Sequence, residues 1–154
     1  MGSYFFDTSA IVKRYFPEQG HHWVVALCEA MPAHALYISQ AALVEVVATI
    51  CRKAREQGTP NEKRDALIER FRRDCYNTYI LWPVTTAIYT AAGDLCRSHR
   101  LRAYDAVQLA CVLGLRSEAA ASFTPLPIFV CADNPLIAIA AAEGVSTENP
   151  NTHP

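Results

Sequence analysis

Positive charge is scarce in this chain. Only 14 of its 154 residues are Lys or Arg, against 15 Asp or Glu, for a net charge of −1. That balance neither requires nor forbids a nucleic-acid partner, because a local basic face decides such binding. No apolar segment is long enough to span a bilayer, and no apolar stretch follows a basic start, so neither a membrane span nor a signal peptide is expected and the cytoplasm is the default compartment. The six cysteines stand at least fifteen residues apart with no C-x-x-C. This spacing speaks against a disulfide framework or a zinc site, and for small buried hydrophobes in a reducing compartment. Neither G-x-x-x-x-G-K-[ST] nor G-x-G-x-x-G occurs, which removes the common phosphate and dinucleotide loops.

Against this background, four acids sit inside the most hydrophobic stretches. Asp7 follows Tyr4-Phe5-Phe6, and Glu45 lies within Ala41-Ala42-Leu43-Val44-Glu45-Val46-Val47. Asp105 opens Asp105-Ala106-Val107-Gln108-Leu109-Ala110, and Asp133 follows Ile128-Phe129-Val130-Cys131-Ala132. A carboxylate facing a core is costly unless it is neutralised, paired or bound to a metal. Eight of the 14 cations fall between Arg52 and Arg73, far from these acids in sequence. An external cation is the simpler partner.

The chain punctuates into alternating elements. Ser3–Phe6 reads as a strand; Thr8 and Ser9 are N-cap residues for a short helix over 10–16, stopped by Pro17. A second helix over 22–30 ends near Pro32. Leu36–Ser39 reads as a strand, with Ser39 capping a long helix to about Glu56. After Gly58-Thr59-Pro60, a charged helix covers 61–76. A strand over 78–82 precedes helices over 86–99 and 104–116, then a small, Pro-punctuated loop over 117–127. Ile128–Cys131 reads as the fourth strand, with Asn134 as N-cap and Pro135 as first residue of a helix to about Glu143, and a fifth strand lies near Val145. One domain over 1–147 with a disordered tail over 148–154 is expected. Alternating strands and helices imply an α/β fold, a parallel sheet covered on both faces.

In such a fold, ligands gather at the carboxyl ends of the strands. Asp7 and Asp133 belong to that rim, Glu45 to the second turn of the helix leaving it, and Asp105 to the first turn of another helix. Four carboxylates this close repel one another unless a cation holds them charged. Oxygen-only ligands select Mg²⁺ or Mn²⁺ over zinc. Such ions acidify a bound water and stabilise the oxygens of a displacement at phosphorus. Taken singly, Asp7 and Asp105 read equally as helix caps and Asp133 as a turn residue; it is the set of four that points to a site.

The runs Tyr4–Tyr15, Leu101–Ala110 and Phe129–Asp133, with Glu45 between them, resemble the PIN-domain ribonucleases. Their order and spacing are most similar to the small VapC-type toxins, over nearly the whole chain to about Val145. The resemblance implies a three-layer α/β/α domain with a five-stranded parallel sheet, and Mg²⁺- or Mn²⁺-dependent hydrolysis of RNA by a metal-activated water. It implies that Asp7, Glu45, Asp105 and Asp133 are the metal-binding and catalytic quartet, with Ser9 as the small polar residue supporting the metal site. It further implies a homodimer and inhibition by a cognate antitoxin. Two features depart from the family pattern: the 117–127 segment is longer than in compact members, and Asn134-Pro135 replaces the more usual polar or basic pair.

Lys13, Arg14 and Arg102 lie nearer the proposed metal than the basic helices over 52–73 do, and so are the better candidates for RNA contact. The basic helices over 52–73 carry enough acids (Glu56, Glu62, Asp65, Glu69) to read first as a solvated face, and second as a phosphate-binding one. Two other readings stay open: a housekeeping PIN nuclease in RNA processing, and a PIN-like module that binds RNA or protein without cutting.

Overall fold

The computed structural model describes residues 1–30 and 32–153. Five strands, β1 (Gly2–Phe6), β2 (His34–Ser39), β3 (Ile80–Trp82), β4 (Ile128–Val130) and β5 (Ser146–Glu148), form one sheet in the order β3-β2-β1-β4-β5. Every pairing is parallel. The central strand therefore holds Phe6 opposite Ile38 on one side and Val130 on the other.

Alternation along the strands divides the core into two layers. Phe6, Leu36, Ile38 and Val130 face one side. There they pack against α2 (His21–Glu29), α3 (Ala42–Glu56) and α4 (Asn61–Asn77) through Val24, Val46, Ile50 and Phe71. Phe5, Tyr37 and Phe129 face the other side. They meet α5 (Thr86–Ser98), α6 (Ala103–Ala121) and α7 (Asn134–Ala142) through Ala92, Leu109, Val112 and Leu136. The result is the expected three-layer α/β/α arrangement around a five-stranded parallel sheet. Among the described residues no helix is long and apolar enough to cross a membrane.

Four local expectations are corrected. The first helix is only α1 (Thr8–Ile11), followed by a 3-10 turn over Val12–Arg14, and its N-cap is Asp7 rather than Thr8 or Ser9. The cap of α7 is likewise Asp133, one residue before the expected Asn134. In both places the acid ending the strand loop also satisfies the first free N–H groups of the helix. The 117–127 loop is shorter than expected because α6 runs to Ala121. Ser117, Glu118 and three alanines continue the helix, Leu115 and Ala119 give its last turns a buried face, and proline appears only at Pro125. Finally, residues 149–153 are not a disordered tail. Asn149 caps a 3-10 turn over Pro150–Thr152. The Gln19 amide donates to the Asn151 carbonyl at 2.6 Å, and His153 stacks on Trp23 with ring centroids 4.5 Å apart. Gly20, at φ +81°, lets the chain pass directly under Pro150.

Candidate active site

The site grows from the carboxyl ends of β1 and β4. Asp7, 5% exposed, leaves β1 with its N–H bonded to the Val130 carbonyl at 2.9 Å, which joins the two strand ends. Its Oδ2 accepts the Ser9 N–H at 2.9 Å and the Ser9 hydroxyl. Ser9 Oγ in turn accepts the Ala132 N–H at 3.0 Å. A single hydroxyl thus ties the loop after β1 to the loop that presents Asp133. Asp133 Oδ1 accepts the Leu136 N–H at 3.2 Å, which fixes that carboxylate over the start of α7.

Glu45 enters from the first turn of α3, one turn earlier than expected, because α3 begins at Ala42 with Ser39 Oγ accepting the Ala42 N–H. Its Oε1 accepts from the Gln108 amide at 2.7 Å. Asp105 enters from the first turn of α6. All four carboxylates line one cleft of about 380 Å³, together with Ser9 and Arg102.

The electrostatics follow from this crowding. Desolvation raises Asp7 above its ordinary range, against the opposing hydrogen bonds from Ser9. Desolvation also raises Asp105, reinforced by the charges of Asp7 and Asp133 and opposed by Arg102. Glu45 goes from its ordinary 4.5 to about 7, through desolvation and the charges of Asp7 and Asp105, with Gln108 pulling the other way. The chain's own cations therefore compensate this negative cluster only in part. Among the described residues, no group of three or more His, Cys, Asp or Glu side chains is already arranged to hold a metal ion. Gripping one requires the carboxylates to turn toward a common centre. The chemistry of the donor set, oxygen throughout with incompletely neutralised charge, fits a hard divalent cation.

Of the three basic side chains expected to contact substrate, one faces the cleft. Arg102 lines it and also an adjoining cavity of about 520 Å³ shared with Arg100, Asp105 and Asp133. Lys13 is 6% exposed and spends its ammonium on Glu18, at 3.3 Å, and on the Gln19 carbonyl. Arg14 turns to the opposite side of the 3-10 turn. There it donates to the Tyr79 hydroxyl at 2.9 Å and lies 3.5 Å from Asp74. Sequence reasoning missed Arg52 and Lys53 as cleft residues; Lys53 is held there by Glu18 at 2.6 Å. It also missed Gln108, although an amide inside the apolar run Ala106–Val112 is a signal in its own right.

A family model for the PIN domain matches residues 4–123. The chain belongs to the PIN-domain family. Solved structures share this PIN fold from end to end. A chain from the crystal structure of FitAcB from Neisseria gonorrhoeae superposes with a TM-score of 0.64 at 17% identity, covering 97% of this chain and 99% of that one. VapBC2 from Rickettsia felis, bound to a DNA fragment from their promoter, gives 0.58 at 13% identity over 96% and 98%. A toxin–antitoxin complex from Klebsiella pneumoniae gives 0.53 at 18% identity over 96% and 97%. Among curated proteins none matches.

Proposed function

We propose that this PIN domain is an endoribonuclease that depends on Mg²⁺ or Mn²⁺ and acts as the toxin of a toxin–antitoxin pair. The observation that carries this reading is the convergence of Asp7, Glu45, Asp105 and Asp133 on one cleft, in which burial raises the proton affinity of Asp7, Glu45 and Asp105 and the charges of neighbouring acids add to it at Glu45 and Asp105. Asp7, Glu45, Asp105 and Asp133 would hold a divalent ion, which would supply an acidified water and offset charge on a phosphodiester. The protein's own contribution is positioning. Ser9 locks Asp7 and the Asp133 loop together, and Arg102, on the rim beside Asp105, is the cation placed to hold a backbone phosphate. Lys13 and Arg14 take no part in substrate contact, because their charges are already engaged inside the fold.

The toxin role is supported by similarity to a chain of a toxin–antitoxin complex. An acidic cleft also suits a protein inhibitor that inserts a basic side chain, and we assign that inhibitor to a cognate antitoxin. The assembly we propose is a homodimer, and the compartment is the cytoplasm, where its RNA substrates are.

Glu45 gives the test. Glu45→Gln keeps size and shape but removes the charge, and a single electrostatic catalytic group is worth ~2.7–4 kcal/mol, or ~10²–10³-fold in rate. We expect that loss in RNA cleavage, with Glu56→Gln as an unaffected control and wild-type cleavage stopped by EDTA and restored by Mg²⁺ or Mn²⁺. Undiminished cleavage in excess chelator would rule the mechanism out.

A further inference from the structure

We infer that Gln108 is a positioning residue that holds Glu45 in the orientation needed to bind the metal; this rests on the reading of the cleft just proposed. Gln108 is fully buried in α6, one turn beyond Asp105, in a run whose other members, Ala106 to Val112, are all apolar. Its Nε2 donates to Glu45 Oε1 at 2.7 Å and reaches Thr8 Oγ1 at 3.4 Å. One amide therefore joins three helices, α1, α3 and α6, from below, and each carries an acid of the cleft within or beside its first turn.

The other end of the amide is the telling part. Gln108 Oε1 is buried with no hydrogen-bond partner. With Glu45 ionised, as it must be to bind a metal, turning the amide over does not cure this, since a carboxylate only accepts and the NH₂ must face it. A residue present for packing alone has no reason to carry that cost. Methionine fills nearly the same volume and orphans nothing, so the amide's one strong bond, to a cleft carboxylate, is what sets it apart. That bond engages Oε1 and leaves Oε2 as the oxygen for a ligand in the cleft. It is the arrangement by which outer residues orient metal-binding side chains, where removal typically weakens metal affinity by ~10–100-fold.

The test uses Mn²⁺ alone as probe, titrated into the chelator-stripped full-length protein, with binding read by calorimetry. The four proteins are wild type, Gln108→Met, Glu45→Gln and the double variant, with Gln108→Leu as a second substitution should Met pack poorly. We expect Gln108→Met to bind Mn²⁺ ~10–100-fold more weakly while melting no lower than wild type, and the double variant to bind no more weakly than Glu45→Gln alone. Two sites acting through one carboxylate cannot add their losses. A Gln108→Met protein with wild-type affinity overturns the inference, as does a double variant whose loss is the product of the two single losses. If the wild type takes up no Mn²⁺, the metal reading of the cleft fails, and the inference falls with it.

Discussion

Titration of Glu45 makes the stability of the metal-free protein depend on pH in a direction opposite to that of most carboxylates. Its proton affinity rises from the ordinary 4.5 to about 7 on folding. Folding therefore favours the protonated side chain. The stabilisation is complete below about pH 4.5 and is lost as pH climbs through 7. A difference of this size corresponds to about 3 kcal/mol if fully expressed. Glu45 is only partly buried, and solvent screening cuts the contribution to about 1–2 kcal/mol. For a chain of this length that is roughly 2–8 °C in melting temperature. The assay is thermal unfolding in EDTA at pH 5, 6, 7 and 8, for wild type and Glu45→Gln. Wild type loses several degrees relative to the variant between pH 5 and 8, and saturating Mn²⁺ closes the gap by stabilising the wild type at high pH. Parallel pH curves for the two proteins, with no divergence above pH 5, would refute the electrostatic account of the cleft.

Asp7→Asn and Asp105→Asn should both raise the melting temperature of metal-free protein at pH 7.5, since Asn carries no charge to repel its neighbours and, at the α1 cap that Asp7 occupies, serves as well as Asp; a drop of several degrees in both identifies the acids as structural alone. Arg102→Ala should flatten the salt dependence of RNA binding, removing about 0.7 from the log–log slope. Arg14→Met should leave that slope unchanged and lower the melting temperature instead, because it strands Asp74 beside Tyr15 and Tyr79. Gly20→Ala should cost about 2 kcal/mol or more, since a Cβ there collides with the Pro150 carbonyl oxygen on a left-handed backbone, and calorimetry checks it.

The layers of this fold were legible because each element announces itself within a few residues: Phe5 and Phe6 commit β1 to two buried faces, and Pro17, Pro32 and Pro60 separate the helices. The rim positions of Asp7 and Asp133 followed from the rule that parallel strands end on one edge. What proximity in sequence did not reveal is direction. Lys13 and Arg14 lie within seven residues of Asp7, yet the 3-10 turn sends one to Glu18 and the other to Asp74. Order at residues 149–153 depends on partners more than a hundred positions away, Gln19 and Trp23, and polar composition alone carries no trace of them. Capping was weighed as the alternative to a site role for Asp7 and Asp105, and a turn role for Asp133; the structure makes Asp7 and Asp133 the caps, and both also line the cleft, while Asp105 caps nothing.

The strand order has a consequence for the moment of synthesis. Because β4 inserts beside β1, Asp7 waits for Asp133, and the chain between them must first leave the ribosome. At ~5–20 residues per second, that interval is about 6–25 s. Throughout it β1 can pair with β2 on one side only, and the seam beside Phe6 where Val130 will dock stays open. The cleft is thus completed only when Asp133 joins the three acids that precede it in the chain. A nascent chain passes most of its birth with its acids apart and its central strand an unfinished edge.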